Sequence, residues 1–214
     1  VAGSGAATRV RVMLVDDHSI VRSGFRRLLE QHEIEVVAEA GSGEQGYALF
    51  QSERPDVVVL DLSMPGMSGL ELLRRILARE ALARVLVFSM HEEAALADRA
   101  MQLGARAYIS KSSAPEVLVR AVLEVAAGRQ FLSPDVAQSV ALYKLGGEDP
   151  FAQLSAREFE VFRLLVQGES AGAIAEILKL SAKTVANYHT LIKQKLRVDS
   201  DVELVHLALR HKLV

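Results

Sequence analysis

The stretch from Asp56 to Leu70 constrains this chain more than any other. Val57, Val58, Val59 and Leu60 form an unbroken apolar run, mostly β-branched. Such a run reads as a strand buried on both faces, as in a parallel sheet. It ends on a carboxylate, Asp61, and the chain then turns through a Pro- and Gly-rich loop, Ser63 to Gly69. Leu70, Leu72, Leu73, Ile76 and Leu77 follow at helical spacing, with Ser68 placed to cap the helix and Glu71 in its first turn. Asp61 therefore stands at the carboxyl end of a central strand, where open α/β sheets bind ligands. Taken alone, it reads as readily as a carboxylate capping a loop.

Other strand ends change that balance. Val10 to Val15 is a second strand and ends in Asp16 and Asp17, followed by Ile20, Val21, Phe25, Leu28 and Leu29 on one helical stripe. Two parallel strands ending at the same edge bring three carboxylates together, and such charges repel and raise one another's pKa. A hard divalent cation relieves this, and Mg²⁺ with a phosphate is the usual occupant of such oxygen sites. Arg84 to Ser89 is a strand ending on a hydroxyl, and Ala105 to Lys111 is one ending on a cation. Singly, such a lysine is a solvated surface residue and such a serine a cap. The ordered set at four strand ends is what is specific. With Ile34 to Glu39 as a further strand, five strands each precede a helix. The later helices span about 42–52, 92–103 and 114–127, the last two ending at Gly104 and Gly128. The expectation is an α/β, doubly wound, parallel five-stranded sheet covered on both faces.

The 214 residues suffice for about two domains. There is no cysteine, which excludes disulfides and thiolate metal sites. No apolar run approaches the roughly 18–20 residues that span a bilayer. Val1 to Thr8 lack the pattern of a signal peptide, so a cytoplasmic protein with no membrane partner is expected. The net charge of −2 divides unevenly: residues 151–214 carry 9 Lys and Arg against 7 Asp and Glu, and the rest 16 against 20. A slightly acidic front suits a metal–phosphate site and a slightly basic back suits nucleic acid.

Residues 9–128 thus form one domain and 129–150 a linker. The linker holds Pro134, Gly146, Gly147 and Pro150, with a short helix from Asp135 to Leu145. Residues 151–214 are patterned as four helices only. Ser155 and Glu158 form a capping box, Ser170 and Ser181 cap the next two helices, and Ser200 with Glu203 forms another box. In the third helix, Ala182 to Leu196, Val185, Ile192 and Leu196 fall on one side, and Lys183, Asn187, Thr190 and Gln194 on the other. Ile177 to Val198 carries five Lys and Arg and no acid. A polar face rimmed by cations is what a major groove accepts. A solvated face explains an isolated basic helix as well, but the short turn Lys179–Ser181 between two capped helices favours helix-turn-helix.

On these residues the front domain resembles the receivers of two-component response regulators. The resemblance implies Asp16 and Asp17 as the acidic pair, Asp61 as phosphoacceptor and Ser89 and Tyr108 as switch residues. It implies Lys111 as the conserved-type lysine, and Mg²⁺ bound by Asp16, Asp17, Asp61 and Ser63. Ser112 stands where many receivers have proline after the lysine. The back domain, from Leu154 to Leu196, resembles the LuxR-type helix-turn-helix of NarL/FixJ regulators, and its last helix looks most like the GacA/UvrY branch. By position, the resemblance implies DNA contacts from Lys183, Thr184, Ala186, Asn187, Tyr188, Thr190, Lys193 and Lys195. Relatives often carry lysine where Ala186 stands.

The expected protein is a transcription factor phosphorylated on Asp61 by a sensor histidine kinase. Its partners are a double-stranded DNA operator and, once phosphorylated, a second copy in a homodimer. It is not an enzyme beyond autophosphotransfer and autodephosphorylation. An aspartyl-phosphate phosphatase would need an acid at Ser63. A regulator working without phosphorylation would lack one of the acids or Lys111.

Overall fold

The structure, a computed structural model, describes residues 9–90, 94–145, 150–211 and 213. The expected start of a helix at Glu92, the glycine pair at 146–147 and the first eight residues lie outside these. The front of the chain alternates β1 (Arg11–Val15), α1 (Ser19–Gln31), β2 (Glu35–Ala40), α2 (Gly43–Glu53), β3 (Val57–Leu60) and α3 (Gly69–Arg79). It continues through β4 (Val85–Ser89), α4 (Ala94–Leu103), β5 (Ala107–Ser110), α5 (Pro115–Ala126), β6 (Phe131–Leu132) and α6 (Pro134–Leu145). The back is helical: α7 (Ala156–Val166), α8 (Ala171–Ile177), α9 (Ala182–Leu196) and α10 (Asp201–Arg210).

The sheet runs β2-β1-β3-β4-β5-β6, with every pair parallel. It therefore has six strands where the sequence pattern suggests five. The sixth lies in the segment read as linker, and two residues are too short to show any periodicity. In β3, Val57 and Val59 pack with α5, whereas Val58 and Leu60 face the core of α3 and α4. The strand order reverses between β1 and β3, so Asp16, Asp17 and Asp61 all meet at the topological switch point, where such sheets open a crevice.

Glycine sets how closely α3 follows that crevice. Gly69 N–H donates to Leu62 O at 3.1 Å. A Cβ on Gly69 would lie 2.2 Å from Asp61 O and 2.5 Å from Leu62 Cα. Ser68 caps α3 as expected, accepting from Glu71 N–H at 3.3 Å. The box at Ser155 is present in both directions. At α10 the pattern is only half a box: Ser200 accepts from Glu203 N–H, but the Glu203 carboxylate accepts from Asp199 N–H.

The helical domain packs on the α3–α4 side of the receiver fold, and its core is continuous with that layer. Arg99 of α4, almost fully buried, donates to the carbonyls of Phe151 and Leu154, and its guanidinium lies 5.1 Å from the Phe159 ring centroid. Lys144 of α6 pairs with buried Asp98 at 2.8 Å. Ser68, beside the start of α3, donates to Glu160 of α7, whose other oxygen accepts from Arg157 at 2.9 Å. Burial pushes the Glu160 carboxyl above its ordinary 4.5, against the pull of Ser68 and Arg157.

Two outcomes follow from this packing. Gly69→Ala forces α3 away from Asp61 and should cost about 1–3 kcal/mol, as overpacking does; an unchanged urea midpoint would show that the loop simply yields. Glu160 binds its proton more tightly folded than unfolded, so its own contribution to stability is fully present below 4.5 and is lost as pH rises through the raised pKa. Glu160→Gln should abolish that fall, so its melting temperature should exceed wild type most above this window and converge with it in acid. Parallel pH profiles for the two proteins would refute the assignment.

Candidate phosphoacceptor site and nucleic-acid interface

At the switch point, Lys111 Nζ donates to Asp16 Oδ2 at 2.6 Å and to Asp61 Oδ2 at 2.7 Å. All three side chains are less than a tenth exposed. Burial pulls the Lys111 pKa down, but its bonds to the two carboxylates outweigh this and hold it above the ordinary 10.5. The ammonium therefore stays charged and offsets the repulsion between the acids. Ser63 N–H donates to the remaining oxygen of Asp61, Oδ1, at 3.2 Å. Lys111, directly after β5, is fastened to β4: its N–H donates to Ser89 O at 2.8 Å, and Ser112 is tied back to Ser110 by an N–H bond at 3.1 Å and a hydroxyl contact at 2.7 Å. No cis peptide occurs among the described residues.

Ser89 ends β4, next to β3, with no solvent exposure. Tyr108 is also fully buried, in the cluster that contains Val136 and Val140 of α6. Any rotation of its ring would take place beneath that helix. Asp17 is partly exposed, and its Oδ1 lies 2.9 Å from His18 Nδ1. One ligand atom each from Asp16, Asp17, His18 and Asp61 falls within 4.8 Å of the others. His18 is a neighbour the sequence reading missed, because a lone exposed histidine after two acids carries no spacing signal. Arg22 is another: its guanidinium donates to Asp16 O and lies 3.4 Å from Glu39. Its position within the apolar stripe of α1 was the only hint.

The α8–α9 turn passes through Lys179, whose φ of +51° lies in the left-handed region. Ser181 then caps α9, accepting from Thr184 N–H at 3.1 Å, and Thr184 Oγ1 lies 2.8 Å from the Ser181 hydroxyl. Val185, Ile192 and Leu196 are buried against the domain. Lys183, Ala186, Asn187 and Thr190 are exposed together on the opposite face. The other expected contacts, Thr184, Tyr188, Lys193 and Lys195, are half-buried. Tyr188 lines the cleft of about 720 Å³ between the two domains, as do Lys179 and Arg157. Lys193 lies 3.3 Å from Asp201, and Lys195 donates to Glu158 at 2.6 Å. Burial raises the Glu158 carboxyl, but Lys195 and the Ser155 N–H pull it below its ordinary value. Lys195 thus fastens α9 to α7. No described helix is long and apolar enough to cross a membrane.

Comparison with known proteins agrees with this architecture. Residues 12–123 match the response regulator receiver domain, and residues 152–208 match the bacterial regulatory proteins of the luxR family. The chain is 41% identical over 208 residues to the response regulator UvrY of Escherichia coli strain K12, covering 95% of each. It is 38% identical over 209 residues to the response regulator GacA of Pseudomonas aeruginosa, covering 96% of this chain and 98% of that one. Among solved structures, RcsB from Salmonella enterica serovar Typhimurium, bound to promoter rprA with the phosphomimetic BeF₃⁻, superposes with a TM-score of 0.67 at 27% identity. The match covers 92% of this chain and 97% of RcsB. With an acid pair, a strand-end aspartate and a bridging lysine in front and a capped helix-turn-helix behind, the chain belongs to the response regulators that join a receiver to a luxR-type DNA-binding domain.

Proposed function

We propose that Asp61 accepts a phosphoryl group from the phosphohistidine of a sensor histidine kinase, and that this controls DNA binding by α9. The observation that carries the reading is the bridge from Lys111 to Asp16 and Asp61, two acids and a cation gathered at one strand edge. An Asp61 carboxylate oxygen attacks phosphorus in line; the P–N bond breaks and its electron pair stays on the imidazole. The carboxylate oxygens of Asp16, Asp17 and Asp61, with the Ser63 carbonyl, are hard donors suited to Mg²⁺. Such an ion would neutralise charge on the phosphoryl oxygens. Lys111, released from its bridge, and the Ser89 hydroxyl take those oxygens, the first by a charge-assisted bond. Rearrangement of Ser89 and Tyr108 then shifts the face around α4 and β5, a two-state element biased by one covalent change.

The output is a homodimer on a double-stranded operator in the cytoplasm. RcsB, whose solved structure holds promoter DNA together with a phosphomimetic, supports this reading of the two domains. Exposed Lys183 meets a phosphate, whereas Asn187 faces a base. Lys193 and Lys195 reach DNA only by leaving Asp201 and Glu158.

Asp61→Asn keeps the side chain's size and removes the nucleophilic oxygen. Incubated with acetyl phosphate and Mg²⁺, wild type should gain one phosphoryl group by intact-protein mass and the variant none; a phosphorylated variant would place the nucleophile elsewhere. On DNA, Lys183→Ala should weaken operator and random duplexes alike and reduce the salt slope of log K by about 0.9. Asn187→Ala should weaken the operator alone, by roughly 1–3 kcal/mol. Titrations at two salt concentrations decide it: equal loss on both duplexes would exclude Asn187 as a base reader.

A further inference from the structure

The exposed face of α9 is less polar than its sequence suggests. Thr190 Oγ1 donates to Ala186 O, one turn back, at 3.1 Å. Its hydroxyl proton is therefore used inside the helix, which leaves the side chain an acceptor oxygen and an apolar γ-methyl. Ala186 beside it offers only a methyl, and both residues are exposed. Leu191, one helical turn beyond Asn187, leaves 42% of its surface exposed although Ile192 and Val185 are fully buried. A single exposed leucine is ordinary. Here three apolar groups flank the Asn187 amide on the face that would enter a groove, and the other exposed amide on that face, Gln194, lies two turns further on.

The chemistry of base edges limits what such a face can read. In the major groove an apolar group has one specific partner, the C5-methyl of thymine, and an asparagine amide pairs bidentately with N6 and N7 of adenine. Guanine is read by Arg or Lys. Of the lysines on α9, Lys193 and Lys195 are drawn to Asp201 and Glu158, and Lys183 is the phosphate contact proposed above. From this we infer that α9 reads an A·T-containing step, Asn187 holding adenine while Leu191 and the Thr190 methyl pack on thymine methyls. The inference rests on the reading of α9 as the groove helix and adds the class of base that it takes.

The test uses the full-length chain, phosphorylated with acetyl phosphate. Duplexes are first selected from a random library. Each thymine of the selected site is then replaced singly by deoxyuridine, which removes only the methyl. Binding is titrated with wild type and Leu191→Ala, a substitution that keeps the helix-forming tendency of α9. At one thymine or more, deoxyuridine should weaken wild type roughly fourfold, the worth of one buried methyl. Leu191→Ala should weaken the thymine duplex and be indifferent to the replacement at that position, the signature of direct coupling. A selected site that wild type prefers over random DNA but binds equally well with every thymine replaced overturns the inference and leaves the groove helix standing. If no duplex is preferred over random DNA, the groove reading itself fails, and this inference with it. Equal deoxyuridine sensitivity in Leu191→Ala and wild type at every position removes Leu191 as a reader.

Discussion

The ammonium of Lys111 is the charge on which this molecule depends. The parallel sheet brings Asp16 and Asp61 to one strand edge, and two nearly buried carboxylates there repel each other. One cation bridges both at hydrogen-bonding distance. The geometry that builds the site is thus also what stabilises it before any phosphate arrives. Lys111 is held in turn by Ser89 of β4, which accepts from its N–H, and the serine pair Ser110 and Ser112 brackets it. The tight turn after the lysine is made by hydroxyls where many related receivers use proline.

Much of this was legible beforehand. The apolar run before Asp61, the acids after β1, and Ser89 and Lys111 at later strand ends are local signals, and a parallel sheet collects strand ends on one edge. The caps at Ser68, Ser155, Ser170, Ser181 and Ser200 were readable for the same reason: each side chain bonds within three residues of itself. What escaped depends on distant partners. Nothing near Arg99 announces that two carbonyls more than fifty residues away will accept from it. Lys195 reads as a DNA contact until α7 brings Glu158 against it. The hydroxyl of Thr190 reads as a groove donor until the helix claims it.

The two domains are joined through the elements that carry the site. Ser68 caps α3 with the same oxygen that it turns toward Glu160, and Gly69 beside it lies against the Asp61 carbonyl. A shift in the loop after Asp61 therefore reaches α7 through one residue. The cleft between the domains runs past the helix-turn-helix at exposed Lys179 and half-buried Tyr188, while Ala186, Asn187 and Thr190 remain outward.

The short strand β6 has a practical bearing on how this chain can be divided. Phe131 N–H donates to Arg106 O and Ser133 N–H to Tyr108 O, and α6 then covers the Tyr108 cluster. A receiver fragment cut after Gly128 would lose both layers at once. It would present the unpaired backbone of β5 as a ready template for another chain, with freshly uncovered apolar surface beside it. The segment joining the domains is therefore also the selvedge of the sheet, and a fragment that keeps both layers extends through Leu145.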